Sequence, residues 1–231
     1  MALAQGLRDT RGALLRWNRE PALVLRPWLL GGLAFGAALL LAVLVIASVA
    51  QPDLTPAVIP GVEYQAGLGD VVHVLVRNGL VLALHAVACV AGFIAGSSLP
   101  LQASRMTGWN RSIHEKARPL AFAWVVGVTC FSLVTQAYVL GHTGAQLAEQ
   151  LGMSPGLLIL TVFPHAILEL TAVFLPLAAW TIASRRGEWH DLLAATFATV
   201  AVAIPMLLVA SSWETFVWPR LLEQASPIPG F

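Results

Sequence analysis

The 231 residues are 58% hydrophobic and only 11% charged, with a formal net charge of +1. A soluble domain carries about a quarter of its residues as charge, so this composition excludes an ordinary soluble globule. The balance also leaves no basic patch for nucleic acid, and two cysteines with no CxxC spacing exclude a disulfide framework.

The first 26 residues form a segment of their own. On a helical wheel Leu3, Leu7, Leu14 and Trp17 fall on one side, and Arg8, Arg11, Arg16 and Arg19 on the other. That pattern predicts a cytoplasmic amphipathic helix lying in the headgroup layer, its arginines toward anionic lipid. Gly6 and Gly12 weaken it.

Five apolar runs follow, at about Pro27–Ala50, Val71–Leu99, Leu120–Leu140, Gly156–Ala183 and Leu192–Trp213. A membrane span needs ~20 apolar residues. Their apolar content is continuous rather than alternating, which argues for helices and against barrel strands. The expected fold is therefore an all-α polytopic membrane helix bundle: five transmembrane helices over 27–222, the interfacial helix over 1–26, and an external tail over 223–231. Ser48-Val49-Ala50 has the small residues of a signal cleavage site, but an apolar region of ~24 residues is too long for a signal peptide.

Basic residues alternate between the connections. Arg8 to Arg26 precede span 1, Arg105, Arg111, Lys116 and Arg118 separate spans 2 and 3, and Arg185 and Arg186 separate spans 4 and 5. The connections 51–70 and 141–155 have no Lys or Arg, and the C-terminal tail has only Arg220. The positive-inside rule then puts the N-terminus in the cytoplasm and the C-terminus outside.

Small residues recur within the spans. Gly32 and Gly36 form one GxxxG, Gly92 and Gly96 another, and both permit close helix approach. Cys89 and Cys130 read as small apolar packing residues.

The polar residues inside the spans are the candidates for function, because ionisable groups at membrane depth are costly. At ~1.5 Å per residue, His165 falls near the midplane and Glu169 one turn deeper on the same face. Asn78 and Arg77 lie in the outer part of span 2, with His85 two turns further; Gln136 lies in span 3 and Glu214 at the outer end of span 5. These residues can converge on one outward-opening site, Arg77 pairing with Glu214 or Glu169. Pro164, Pro176 and Pro205 are expected to kink their helices.

Three readings of this group stand side by side. It can be structural glue holding the bundle in register. It can be a catalytic or metal centre, with His85, His165 and Glu169 as ligands of an ion such as zinc and a carboxylate as general base. It can line a path for a proton, ion or peptide, as in a channel or transporter.

The stretch LLILTVFPHAILELTAVFLPLAAWTIA, with His165 and Glu169, resembles the signature segment of the stage II sporulation protein M family. VASSWETFVWP, with Glu214, is similar to that family's closing motif, and VLVRNGLVLALHAV, with Asn78, to the opening of its second helix. The chain departs from the pattern at Ala166, where glycine is usual, and at Trp218, where threonine is commoner. The cytoplasmic segment 100–118 lacks the usual Asn-Gly and Leu-Gly pairs, and His85 is outside the pattern. The likeness covers about residues 68–222.

The resemblance implies a bacterial cytoplasmic-membrane protein working with lipid around it and with membrane-protein partners or further copies of itself. Members in spore formers act with cell-wall hydrolases during engulfment, and similar proteins accompany production of circular bacteriocins. The expected role is thus a component of an envelope-remodelling or peptide maturation and export complex, with a peptide as candidate substrate and no nucleic acid. The alternative is an intramembrane metal-assisted peptidase. The candidate site residues are Asn78, His165, Glu169 and Glu214, and no resident cofactor is expected apart from the metal of that alternative.

The charge pattern makes a prediction of its own. A cysteine introduced at Ala57 or Ala145 should be labelled from outside intact cells, and labelling of one at Ser112 would reverse the assigned orientation.

Overall fold

The computed structural model describes residues 2–52, 55–56, 58–98 and 109–228. It is helical nearly throughout: α1 (Ala2–Trp17), α2 (Pro21–Val49), α3 (Leu68–Phe93), α4 (Trp109–Gln150), α5 (Pro155–Arg186), α6 (Leu192–Phe216) and α7 (Trp218–Ala225). A π turn at Ile94–Ser98 follows α3, and a 3-10 turn at Trp189–Asp191 precedes α6. Five of these helical stretches are long and apolar enough to cross a membrane, so this is a multi-pass membrane protein. Their exposed leucines, valines and phenylalanines are what a hydrocarbon solvent requires.

Arg105 and Ala57 lie outside the described residues, as do the side chains of Leu3, Leu7, Arg111, Ser112, Lys116 and Arg118. The prolines of the last two spans interrupt neither helix: α5 continues across Pro164 and Pro176, and α6 across Pro205.

The chain packs as two compact units. The first comprises Met1–Gly32, Val81–Phe131 and Val173–Ala203. Here α3 turns one face toward α5, with His85, Cys89, Gly92 and Gly96 in register. The His85 ring packs edge-on to Phe174 at 5.2 Å, and the Cys89 thiol donates to the Pro176 carbonyl at 2.9 Å. A Cβ on Gly92 would lie 2.5 Å from the Trp180 indole nitrogen, and one on Gly96 2.5 Å from the Trp189 ring. The second GxxxG thus seats two tryptophans of the same chain. In α1, Thr10 and Ala13 are buried while Leu14 is exposed, so the protein-facing side is rotated from the leucine face read on the wheel. Arg16 grips both carboxylate oxygens of Asp191 at 3.0 Å.

The second unit comprises Leu33–Leu80, Ser132–Ala172 and Ile204–Phe231. Where α4 ends and α5 begins it carries a small apolar cap of Ile59, Leu147, Leu151, Met153, Leu158 and Leu222. Hydropathy ends span 3 at Leu140, yet α4 continues to Gln150 because Leu147, Ala148 and Leu151 form a helical face for this cap. Gly152, at φ +64°, then stops the helix, and the Met153 N–H closes back on Ala148 O as a left-handed C-terminal cap does. Ser154 Oγ accepts from Leu157 N and starts α5. Ser226 Oγ donates to Leu151 O at 2.9 Å and ties the C-terminal helix to this corner. On the connection before α3, the Tyr64 hydroxyl donates to Asp70 at 2.6 Å. That bond raises the Tyr64 pKa above the usual phenol value, since ionisation would lose it.

Two consequences can be measured. Ala145 is buried, so Glu149, exposed on the same end of α4, is the better labelling position. A Cβ on Gly141 would stand 2.5 Å from Ile46 Cγ2 and 2.6 Å from its Cβ, whereas one on Gly144 would meet Ala47 at an ordinary 3.7 Å. Gly141→Ala should therefore lower the thermal midpoint in detergent, at a cost of about 1–3 kcal/mol, and Gly144→Ala should leave it nearly unchanged.

Candidate functional site

Four helices of the second unit bring polar side chains together. α3 contributes Arg77 and Asn78, α5 contributes Thr161, His165 and Glu169, α6 contributes Glu214, and α7 contributes Trp218. The i, i+4 spacing in α5 puts His165 and Glu169 on one face.

The charged part is a carboxyl pair and a guanidinium. Arg77 Nη2 lies 3.5 Å from Glu214 Oε1, the arginine side chain 56% exposed and the glutamate 20%. Glu169 stands within interaction reach of Glu214, Asn78 and Arg77. Of the two carboxylates open to Arg77 from sequence, Glu214 makes the ion pair.

The neighbouring neutral part holds His165 in place. Its ring centroid is 5.6 Å from that of Trp218, tilted by 58°. The Trp218 indole N–H donates to Thr161 Oγ1 at 3.2 Å, and the Thr161 hydroxyl donates onward to Leu158 O at 2.8 Å. Pro219 follows at the start of α7, where a missing N–H costs nothing. Gly61, at φ +88°, comes so close that a Cβ there would lie 2.7 Å from Pro219. Trp218 thus packs against the cap on one side and against His165 on the other.

Several buried polar atoms here complete no hydrogen bond. They are Asn78 Nδ2, His165 Nδ1, Ser211 Oγ and Thr215 Oγ1. Ser211 and Thr215 contrast with Thr171, Thr199 and Ser212, whose hydroxyls bond back to their own helix carbonyls. The two are spaced i, i+4 on α6, the helix that carries Glu214.

Other residues of the expected group lie elsewhere. His85 belongs to the first unit, against Phe174. Gln136 donates to Ser132 O and Oγ within its own helix. Among the described residues no three His, Cys, Asp or Glu side chains gather in a metal-holding group. Ser211, Thr215 and the packing role of Trp218 were missed from sequence. The repeat of small hydroxyls one turn apart across Glu214 was the available signal.

Residues 109–219 match the family model SpoIIM, stage II sporulation protein M. The match takes in His165, Glu169, Glu214 and Trp218, a likeness over just under half of the chain; Arg77 and Asn78 stand before it. No curated protein matches the chain, and no solved structure does.

The unbonded hydroxyls yield a test. Removing a buried polar group that has no partner costs nothing and can stabilise. The pair Ser211→Ala and Thr215→Val should leave the thermal midpoint of purified protein unchanged or higher. A loss above about 1 kcal/mol would mean that those hydroxyls already hold something in the resting protein.

Proposed function

We propose that this protein, stage II sporulation protein M-like over residues 109–219, is an integral component of a bacterial cytoplasmic-membrane complex for envelope remodelling or for peptide maturation and export. The alternating basic connections support an internal N-terminus and an external C-terminus. With that orientation the Asn78, His165, Glu169 and Glu214 group opens toward the outer face, and it engages a polypeptide segment there.

One observation carries this reading: buried polar atoms without partners on the same helices as a carboxyl pair. Buried polar groups are normally bonded. Here Asn78 Nδ2 on α3 and Ser211 Oγ and Thr215 Oγ1 on α6 complete no hydrogen bond, and α5 and α6 carry the acceptor oxygens of Glu169 and Glu214. A peptide offers carbonyl acceptors and N–H donors in alternation, and so complements both sets. Arg77 offsets charge at the rim through Glu214. A metal-assisted peptidase would need a third ligand beside His165 and Glu169, and the described residues supply none.

The test combines a photo-reactive side chain at Leu157, exposed on α5 one turn before Thr161, with Glu169→Gln. In the native host, ultraviolet light should link position 157 to a polypeptide, identified by mass spectrometry. Glu169→Gln keeps shape and hydrogen bonding but removes the carboxylate. It should abolish the adduct and the biological activity while the thermal midpoint stays near normal. Full activity in Glu169→Gln, or adducts with lipid alone, would return the group to a role in helix packing.

A further inference from the structure

The first unit contains a cavity of about 250 Å³. Its walls come from the end of α1, the start of α2, the end of α5 and the turn into α6. That volume is below the ~300–1,000 Å³ of sites for drug-sized ligands, and it suits a smaller group. Four charged side chains line it, Arg16 and Arg186 against Glu188 and Asp191, so the lining is charge-balanced.

The four charges are not equivalent. Arg16 and Asp191 are already spent on each other, with both carboxylate oxygens 3.0 Å from Arg16 Nη2. Arg186 and Glu188 make no ion pair among the described residues. Their placement follows from the chain. α5 ends at Arg186, Gly187 takes φ +73°, and the Glu188 N–H bonds back to Ala183 O at 3.0 Å. That left-handed stop sets one cation and one anion on either side of a single glycine at the cavity rim. The remaining lining side chains are apolar, and Val24, Pro27 and Ile182 among them belong to span helices. Trp28 is buried there and meets Trp17 edge-on at 5.2 Å, as aromatic rings do where one end of a site is wet and the other apolar.

A ligand matched to this lining is amphiphilic and carries both signs of charge in its polar part. We propose that this cavity binds a phospholipid with a zwitterionic aminophosphate headgroup, its phosphate on Arg186, its primary ammonium on Glu188, and an acyl chain along Val24 and Ile182. An anionic headgroup without the ammonium would satisfy Arg186 but meet Glu188 unpaired. A soluble aminophosphate would leave the apolar wall uncovered.

The test is lipid retention by the full-length protein in native mass spectrometry, after exchange into detergent with matched-chain phosphatidylethanolamine or phosphatidylglycerol. The wild type should retain one phosphatidylethanolamine in preference. Arg186→Gln should weaken retention of both lipids roughly tenfold, the loss expected for one charge-assisted contact. Glu188→Gln should erase the preference. Arg185→Gln removes the same charge from a neighbour outside the cavity and should change nothing. Thermal midpoints equal to wild type show that each variant is folded, and a variant that fails this check is replaced by Arg186→Lys or Glu188→Asp. Equal retention by all variants would mean ordinary annular lipid, and stronger retention of phosphatidylglycerol would exclude the zwitterion; either result overturns the proposal. Millimolar phosphoethanolamine should displace the lipid poorly. Complete displacement would assign the cavity to a soluble aminophosphate and overturn the lipid assignment.

Discussion

In hydrocarbon a charge needs a counter-charge, and the second unit is arranged around meeting that demand. Arg77 faces Glu214 across 3.5 Å, with Glu169 and Asn78 alongside. Losing one partner at such a site strands the other, which costs more than the pair contributes when intact. α3 and α6 are therefore bound to a common register here, and α5 joins them through Glu169. The backbone adds the second demand of the same solvent: every N–H and C=O must be satisfied within the chain, which leaves long helices as the building element.

The cap adds packing to that constraint. Ile59, Leu147, Leu151 and Leu222 are buried against one another where α4 ends and α5 begins, and Trp218 packs on them. The first unit relies on close packing, with Gly92 and Gly96 admitting Trp180 and Trp189.

Much of this was readable from the residues. The five apolar runs and the candidate residues of α3, α5 and α6 followed from hydropathy and from the cost of burying polar groups. What escaped has a physical cause in each case. Residues 141–150 carry too many polar side chains for a hydropathy window, but Leu147, Ala148 and Leu151 have helical spacing, and only their packing against Ile59 reveals what that face is for. The Arg16–Asp191 bridge joins residues 175 positions apart, and no local pattern announces such a pair. Gln136 looked available because a sequence does not show that Ser132, one turn back, takes its amide.

The helices differ in how much of each is enclosed by protein. Within its most apolar window α5 has 44% of residues buried and α4 only 22%. A side chain against lipid needs only to be apolar, while one against another helix must also have the right shape. Mutation should therefore leave very different marks on the two. Along α4, positions such as Phe131 and Val134 are free to drift among hydrophobic residues over evolutionary time. Along α5, the run from Ala172 to Ala179, almost wholly enclosed, has few substitutes that fit, and any change there would require a matching change in a neighbour.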